Sequence, residues 1–144
     1  MAQKEAIEPV PQGQACQHSH LFLVSKKGGK RRPVIDLKSL NRTIDVPTFD
    51  METPETIRAQ VRPGDWAVSI DLYDAYFHIP INQKFKRFLT FCHRGILWQF
   101  RVLPFGLSTI PWIFTRVMEE VRKMAAVHGI TMHMYIDDWL IWAQ

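Results

Sequence analysis

The chain is poor in cysteine and has no long apolar run, and these two absences exclude several classes of protein. Cys16 and Cys92 are the two cysteines, and we expect both to be free thiols in a reducing compartment. No stretch reaches the ~18 uninterrupted apolar residues of a membrane helix. Residues 1–14 have no apolar signal-peptide core. We therefore expect a protein that is not secreted, has no membrane partner and lies in the cytoplasm or the nucleus.

The charge is modestly positive and the apolar content is ample for a core. A net charge of +4 at pH 7 weakly favours a polyanionic partner. Charge alone proves little, because many basic domains bind no nucleic acid. The length of 144 residues fits one domain.

Residues 132–142 form an apolar stretch that is broken at its centre by two adjacent carboxylates, Asp137 and Asp138. Asp is a poor strand residue, so the pattern predicts two strands joined by a hairpin turn at this pair. Neighbouring anions repel each other, and hard oxygen ligands at a strand tip suit Mg²⁺. A plain acidic hairpin turn explains the same residues equally well at this point.

Residues 66–71 form a second apolar stretch, which ends in Asp71. Its mostly apolar, non-alternating pattern predicts a central strand that is covered on both faces. Asp71 is placed to meet an ion at a sheet edge, or simply to cap the helical turn predicted over residues 72–77. If this strand neighbours the Asp137–Asp138 hairpin, three carboxylates converge. Two divalent ions about 3.5–4 Å apart would neutralise them and suit phosphoryl transfer.

Two short strands, residues 20–24 and 33–37, flank a turn that combines a Gly-Gly pair with a run of cations. A basic hairpin tip can clamp phosphates, whereas the alternative is a solvated loop charged for solubility. The cations are Lys26, Lys27, Lys30, Arg31 and Arg32.

The remaining elements complete an α+β class with five or six strands and two or three helices. Strands are predicted over residues 87–91 and 98–103, joined by a hairpin at Gly95. A short helix begins after Thr53, and a long helix begins after Ser108 or Thr109 and ends at Gly129. The long helix has one apolar face and is expected to lie against the sheet. Its charges are predicted to face solvent: Glu119, Glu120, Arg122 and Lys123.

Four blocks of sequence resemble, in the same order, the fingers and palm of reverse transcriptases, the RNA- and DNA-templated DNA polymerases of retroelements. A lone Tyr-x-Asp-Asp is a weak signal, but four ordered blocks are a specific one. Residues 71–79 and 103–108 are nearest in wording to retrotransposons that encode a tyrosine recombinase (DIRS-like), with long-terminal-repeat elements second. The blocks are residues 24–41, 69–81, 103–114 and Tyr135-Ile136-Asp137-Asp138.

The resemblance implies a reverse-transcriptase-like palm, an antiparallel sheet with helices on one face, plus a β-hairpin fingers part. Residues 1–19 are then expected to be a flexible lead-in, residues 20–65 a fingers-like part and residues 66–144 a palm-like part. The family's polymerase continues beyond the Asp-Asp hairpin into a thumb. The expectation is that the thumb is absent from this chain and that the module is incomplete on its own.

The resemblance also implies roles for the carboxylates. Asp71 and Asp137 correspond to the two metal-bridging carboxylates of the family, with Asp138 as a third acid nearby. The backbone carbonyl of Leu72 corresponds to a further metal ligand. The implied cofactors are two Mg²⁺ ions, with Mn²⁺ as an alternative.

The basic hairpin acquires a role from the same resemblance. Arg32 and a lysine at 26 or 27 correspond to the residues that bind the incoming triphosphate. Because of the Gly-Gly turn, the match does not distinguish Lys26 from Lys27. The backbone amides of Asp74 and Ala75 would meet phosphate oxygens.

Aromatic residues complete the implied nucleotide site. Tyr76 matches the family's steric gate, which collides with a ribose 2′-OH. Phe105 and Gly106 would line the nucleotide and template side. The implied partners are a primed RNA or DNA template, a deoxynucleoside triphosphate and the remainder of a retroelement polyprotein.

The leading hypothesis is therefore a reverse transcriptase module that transfers a nucleotide to a primer 3′-OH by two-metal catalysis. The alternative is a non-catalytic nucleic-acid-binding remnant of a retroelement. A degenerate fragment without a function of its own is the third.

Overall fold

The computed structural model describes residues 5–14, 16–25, 29 and 31–143. The chain divides into two compact units, each made from two separate stretches. The first unit is Met1–Asp45 with Tyr76–Ile110, and the second is Val46–Ala75 with Pro111–Gln144. The division differs from the predicted parts at residues 20–65 and 66–144. The names fingers and palm for those segments remain predictions.

The first unit consists of short strands and helices. They are β1 (Ile7–Pro9), β2 (His18–Ser19), β3 (Leu21–Ser25), β4 (Arg31–Ile35), α1 (Lys38–Asn41), α3 (Gln83–Lys86), β6 (Thr90–His93) and β7 (Ile96–Phe100). The strands form a four-stranded sheet of order β1-β7-β6-β2 and a separate two-stranded hairpin, β3-β4. In the larger sheet β1 and β6 run antiparallel to β7, while β2 runs parallel to β6.

Part of the predicted lead-in, residues 1–19, forms an extended strand that is paired in a sheet. Ile7 lies opposite Phe100 in the β1–β7 pair, and Ala6 is completely buried. A three-residue strand that includes Pro9 has too little sequence for a periodic pattern to show. It forms because tertiary pairing decides the structure of such short strands.

An apolar core lies within the first unit. Ile35 and Leu37 are two residues apart, so both side chains point to the same side of the extended chain. They pack with Leu89, Phe91 and Phe100, and all five side chains are at most 3% exposed. The ring centres of Phe91 and Phe100 lie 5.6 Å apart, and the rings are tilted, an arrangement that aromatic pairs prefer.

The hairpin predicted at Gly95 is confirmed. Cys92 and His93 of β6 pair with Leu97 and Ile96 of β7. Arg94 and Gly95, between the strands, have φ values of 51° and 75°. Two central residues with positive φ are typical of a type I′ turn, whose twist matches that of antiparallel strands.

The second unit consists of two helices and three strands among the described residues. They are α2 (Pro54–Arg58), β5 (Trp66–Asp71), α4 (Ile110–Val127, from Pro111 onward), β8 (Thr131–Tyr135) and β9 (Asp138–Ala143). The strands form an antiparallel sheet of order β5-β9-β8. A capping box at Thr53 and a proline at the first helical position start the short helix α2, as the sequence predicted.

The strand that carries Asp71 has the predicted bounds but not the predicted surroundings. β5 is an edge strand, and the central strand of this sheet is β9. Trp66 is 83% exposed and Val68 is 54% exposed. The prediction of a central strand covered on both faces is therefore wrong, because an apolar run does not by itself specify a strand's position in the sheet.

Two further predictions need correction. Nine strands and four helices occur among the described residues, more than predicted, because several have only two to four residues. Glu119 and Arg122 of α4 are half-buried in an ion pair rather than fully solvated. The Arg122 guanidinium hydrogen-bonds Glu119 and thereby lowers the pKa of that carboxyl.

No helix in the described part is long and apolar enough to cross a membrane.

Candidate active site

The hairpin that carries the predicted carboxylates turns one residue earlier than the sequence suggested. Tyr135 pairs with Asp138, so the two turn residues are Ile136 and Asp137, and Asp138 begins β9. Ile136 has a positive φ of 55°, whereas the φ of Asp137 is not positive. A positive φ at the first turn residue alone is the pattern of a type II′ turn. A β-branched residue with positive φ is strained. The indole Nε1 of Trp139 donates to the Ile136 carbonyl at 3.2 Å.

Asp71 lies directly opposite Asp138 in the β5–β9 pair. The amide of Leu72 donates to the Asp137 carbonyl at 2.8 Å, so those two residues form a hydrogen-bonded pair. Because such pairs alternate with non-hydrogen-bonded ones, Asp71 and Asp138 form the latter kind, in which the side chains are closer. Like charges directly opposite each other destabilise a sheet, so this pair favours a cation.

Asp71, Asp137 and Asp138, called here the carboxylate end, lie at one end of the sheet, with Asp137 half-buried and the other two exposed. The convergence of these three side chains on a metal ion stays a prediction. Among the described residues no three His, Cys, Asp or Glu side chains are grouped closely enough to hold a metal ion. Asp137 is a turn residue rather than a strand partner of Asp71. Two exposed carboxylates still fit Mg²⁺, which commonly takes one or two protein carboxylates and completes its shell with water and phosphate.

The residues after Asp71 lead into a short helical turn. Asp74 has a φ of 53°, which Asp tolerates better than most residues. Ala75 is 4% exposed and begins a 3₁₀ helix over Ala75–His78. The helical turn predicted over residues 72–77 is thus present but begins later. The carbonyl of Leu72 and the amides of Asp74 and Ala75 keep their implied roles as predictions.

In the first unit the structure brings together three of the predicted nucleotide-binding residues. The guanidinium carbon of Arg32 lies 4.2 Å from the centre of the Phe105 ring, a cation–π distance. The Phe105 ring lies 5.2 Å from the Tyr76 ring and 5.8 Å from the Phe77 ring, both tilted. Arg32, Tyr76 and Phe105 are called the arginine–aromatic cluster below.

Gly106, the other predicted lining residue, occupies a position that only glycine fits. Its φ is +115°, and a Cβ atom there would lie 2.5 Å from the carbonyl oxygen of Ile35. Asn41 fixes the same loop, since its Nδ2 donates to the Gly106 carbonyl at 2.8 Å and its Oδ1 accepts from the Ser108 amide at 2.9 Å. Sequence reasoning assigned no role to Asn41, although it ends the first block of the resemblance.

The β3–β4 hairpin is confirmed, and Ser25 and Arg31 form its last described pair. Lys26 and Lys27 lie outside the described residues, and their implied contact with a triphosphate stays a prediction.

A buried histidine in the second unit was missed by sequence reasoning. The side chain of His133 is 7% exposed, and its Nδ1 lies 2.6 Å from Glu52 Oε2. The distance is that of an ion pair, but the atoms are not aligned for a hydrogen bond. Nδ1 therefore has no hydrogen-bond partner. Its Nε2 lies 3.1 Å from Gln60 Oε1, and its ring stacks on Trp142 at 4.4 Å. The sequence feature that could have identified it is a histidine within an apolar strand.

The chain resembles reverse transcriptase proteins in both sequence and fold. Residues 24–144 match the family model described as "Reverse transcriptase (RNA-dependent DNA polymerase)". The Pol polyprotein of equine infectious anemia virus (strain Wyoming) is 27% identical over 138 residues, covering 86% of this chain and 12% of the polyprotein. The Tf2-3 transposon polyprotein of Schizosaccharomyces pombe is 27% identical over 133 residues, covering 92% and 10%. The chain thus spans about a tenth of these relatives.

A solved structure shows the same fold. The foamy viral protease-reverse transcriptase in complex with double-stranded DNA superposes with a TM-score of 0.83 at 20% identity, covering 99% of this chain and 24% of that one. The native prototype foamy virus protease-reverse transcriptase gives a TM-score of 0.74 at 21% identity, covering 94% and 17%. The predicted α+β fold of the fingers and palm type is confirmed.

Proposed function

Because the chain belongs to the reverse transcriptase family, we propose that it carries the catalytic carboxylates of an RNA-directed DNA polymerase. In the proposed reaction a primer 3′-OH attacks the α-phosphate of a deoxynucleoside triphosphate. The new bond joins the 3′ oxygen to the α-phosphorus, and the bond to the β-phosphate breaks as pyrophosphate leaves. The hydroxyl proton passes to solvent or to a neighbouring base.

The observation that carries this proposal is the register of β5 and β9. Asp71 and Asp138 are directly opposed, and the backbone bond from Leu72 to Asp137 fixes the turn beside them. An exposed pair of opposed carboxylates is costly for a sheet alone, but it is useful where cations and phosphates meet.

The carboxylate end is the part of the chain that would hold divalent ions. Asp71, Asp137 and Asp138 would supply carboxylate oxygens, and Leu72 would supply its carbonyl. Two Mg²⁺ ions, or Mn²⁺ in their place, would supply charge neutralisation of the phosphates and activation of the attacking oxygen. The protein's own contribution is to keep acidic oxygens together at one end of the sheet.

The arginine–aromatic cluster is the proposed binding element for the nucleotide. Arg32 would pair with phosphate oxygens, aided by Lys26 or Lys27, because guanidinium groups bind phosphate through two parallel hydrogen bonds. Tyr76 would exclude a ribose 2′-OH and so select deoxynucleotides. Asp74 and Ala75 would offer backbone amides to the phosphates.

Nucleic acid is the proposed polymeric partner. The foamy viral relative is described in complex with double-stranded DNA, and the net charge of +4 favours a polyanion. We propose a primed RNA or DNA template, a retroelement polyprotein as the source, and a location in the cytoplasm or the nucleus. A DIRS-like origin is the finer proposal, and a tyrosine recombinase frame beside this one in the genome would support it.

Primer extension with Mg²⁺ tests the catalytic proposal. We expect Asp137→Asn to lower the extension rate by about 100-fold or more, because several kcal/mol of charge stabilisation is lost. Asp45→Asn, at an exposed loop carboxylate, is the matched control and should leave the rate unchanged. Equal extension by the parent chain and Asp137→Asn would refute the assignment of Asp137.

The second candidate is a nucleic-acid-binding module without catalysis, which the positive charge favours. Binding through phosphates weakens linearly on a plot of log affinity against log salt. A steep slope in a chain that extends no primer would establish this candidate, and a flat response would exclude it.

A further inference from the structure

The turn at Ile136 and Asp137 is strained, and something in the second unit has to hold it. A β-branched residue at positive φ persists only where surrounding contacts over-determine it. On the β9 side the Trp139 indole holds the Ile136 carbonyl at 3.2 Å. The β8 side of the turn therefore needs a comparable restraint.

Strand β8 is an edge strand, so one of its sides has no strand partner within the described sheet. Glu52 fills part of that gap, because its Oε2 accepts a hydrogen bond from the Met134 amide at 3.0 Å. Met134 pairs with Trp139 on β9 and lies two residues before Ile136. The carboxylate of Glu52 thus holds the outer edge of β8 close to the turn.

His133 holds the same strand through its side chain. Its Nδ1 lies 2.6 Å from the Glu52 oxygen that also binds Met134, and its Nε2 lies 3.1 Å from Gln60 Oε1. Its ring is stacked on Trp142 with planes 2° apart. Glu52 precedes α2 and Gln60 follows it, so His133 joins both ends of that helix to β8. Glu52, Gln60 and His133 are called the clasp below.

One cation of the long helix lies near the clasp. A hydrogen bond to Glu119 is the main cause of the raised pKa of Arg122 of α4, and attraction to Glu52 contributes to it. The Glu52 carboxylate is 32% exposed, so it remains partly hydrated. In the pocket that His133 lines, the charged side chains among the described residues are Glu52 and Arg122.

We infer that Glu52 and His133 are positioning residues for the carboxylate end. Because β8 and β9 are paired residue by residue, a shift of β8 would move the turn and with it Asp137 and Asp138. The clasp prevents that shift from the open edge of the sheet. The catalytic meaning of this restraint rests on the proposed function, but the restraint itself does not.

Hydrogen exchange of two backbone amides tests the restraint directly. The Met134 amide binds Glu52, whereas the Leu72 amide binds the Asp137 carbonyl and reports on the far side of the turn. We expect Glu52→Gln and His133→Gln to accelerate exchange at Leu72 by about tenfold, because local opening becomes easier. Unchanged exchange at Leu72 in both variants, with faster exchange at Met134 alone, would overturn the inference.

Two exposed residues give matched controls for these variants. Glu55→Gln removes a carboxylate from the first turn of α2, and His93→Gln removes a histidine from β6. Neither should change exchange at Leu72. If His133→Gln fails to fold by circular dichroism, His133→Phe keeps the stack on Trp142 and removes the polar contacts, so it provides the same comparison.

Mn²⁺ binding, followed by electron paramagnetic resonance, separates this inference from the proposed function. We expect several-fold weaker Mn²⁺ binding in Glu52→Gln and His133→Gln than in the parent chain. Faster exchange at Leu72 with unchanged Mn²⁺ affinity would overturn the positioning role. A parent chain that binds no Mn²⁺ would contradict the proposed function, and the exchange comparison would still decide whether the clasp restrains the turn.

Discussion

The arginine–aromatic cluster lies in a unit with a continuous apolar core, whereas the carboxylate end lies in a unit whose edge strand is largely exposed. The first unit packs Leu89, Phe91 and Phe100 into one cluster. In the second, Trp66 and Val68 face solvent. Cation–π and aromatic contacts hold the first set of residues, whereas strand register and a few polar contacts hold the second. The carboxylate end should accordingly be the easier of the two to displace without unfolding the protein.

Core truncation should give the largest difference between the units. Phe100→Ala should lower the free energy of unfolding by about 3–5 kcal/mol, because the side chain is 1% exposed and its loss leaves a cavity. Val68→Ala, on the exposed edge strand, should cost less than about 1 kcal/mol. Urea unfolding measures both. Equal losses of unfolding free energy in the two variants would contradict the difference between the two units.

The loop that contains Gly106, next to Phe105 of the arginine–aromatic cluster, should also be sensitive to substitution. Gly106→Ala should cost about 1–3 kcal/mol through backbone strain, and more if the new Cβ keeps its contact with the Ile35 carbonyl. Gly64→Ala is the matched control, because Gly64 also has a positive φ but has no atom within 4 Å of the new Cβ. Thermal unfolding of the pair isolates the cost of the close approach, and no difference would mean that the loop can move away.

Local sequence signals predicted the elements well, whereas contacts distant in sequence escaped them. The bounds of β5 and the cap of α2 followed from residues within a few positions. The turn was misplaced by one residue, because a strained Ile136 contradicts residue preference. The bond between Glu52 and Met134 joins residues 82 apart, and no local pattern specifies it. The exposure of Trp66 depends on which strand lies at the edge, which composition does not encode.

Loss of the ring under Arg32 should weaken nucleotide use without unfolding the first unit. Phe105→Leu should raise the KM for the deoxynucleotide by about 2- to 30-fold, the range of one cation–π contact. Phe85→Leu is the matched control, since Lys84 lies 4.8 Å from that exposed ring. Steady-state primer extension measures both. An unchanged KM for Phe105→Leu would show that the ring does not position Arg32.

Acidification should give the smallest effect, and it should act on the first unit. A hydrogen bond from Lys86 lowers the pKa of Glu8 below its ordinary value of 4.5. The stability that Glu8 contributes is therefore complete above that ordinary value and is lost as the pH falls through the lowered one. As the pH falls below 4.5, the parent should lose more stability than Glu8→Gln. Glu55→Gln, at an exposed carboxylate, should follow the parent. Identical curves of stability against pH for all three proteins would show that the Glu8–Lys86 pair does not contribute to stability.

The claim that Asp71 and Asp138 face each other to share a cation is tested most directly by thermal unfolding with and without Mg²⁺. Without divalent ions, Asp71→Asn should be at least as stable as the parent, because the substitution relieves the repulsion. With Mg²⁺ in excess, the Tm of the parent should rise and that of Asp71→Asn should not, since an ion that binds the native state stabilises it. Equal Mg²⁺-induced shifts in the two proteins would contradict the account.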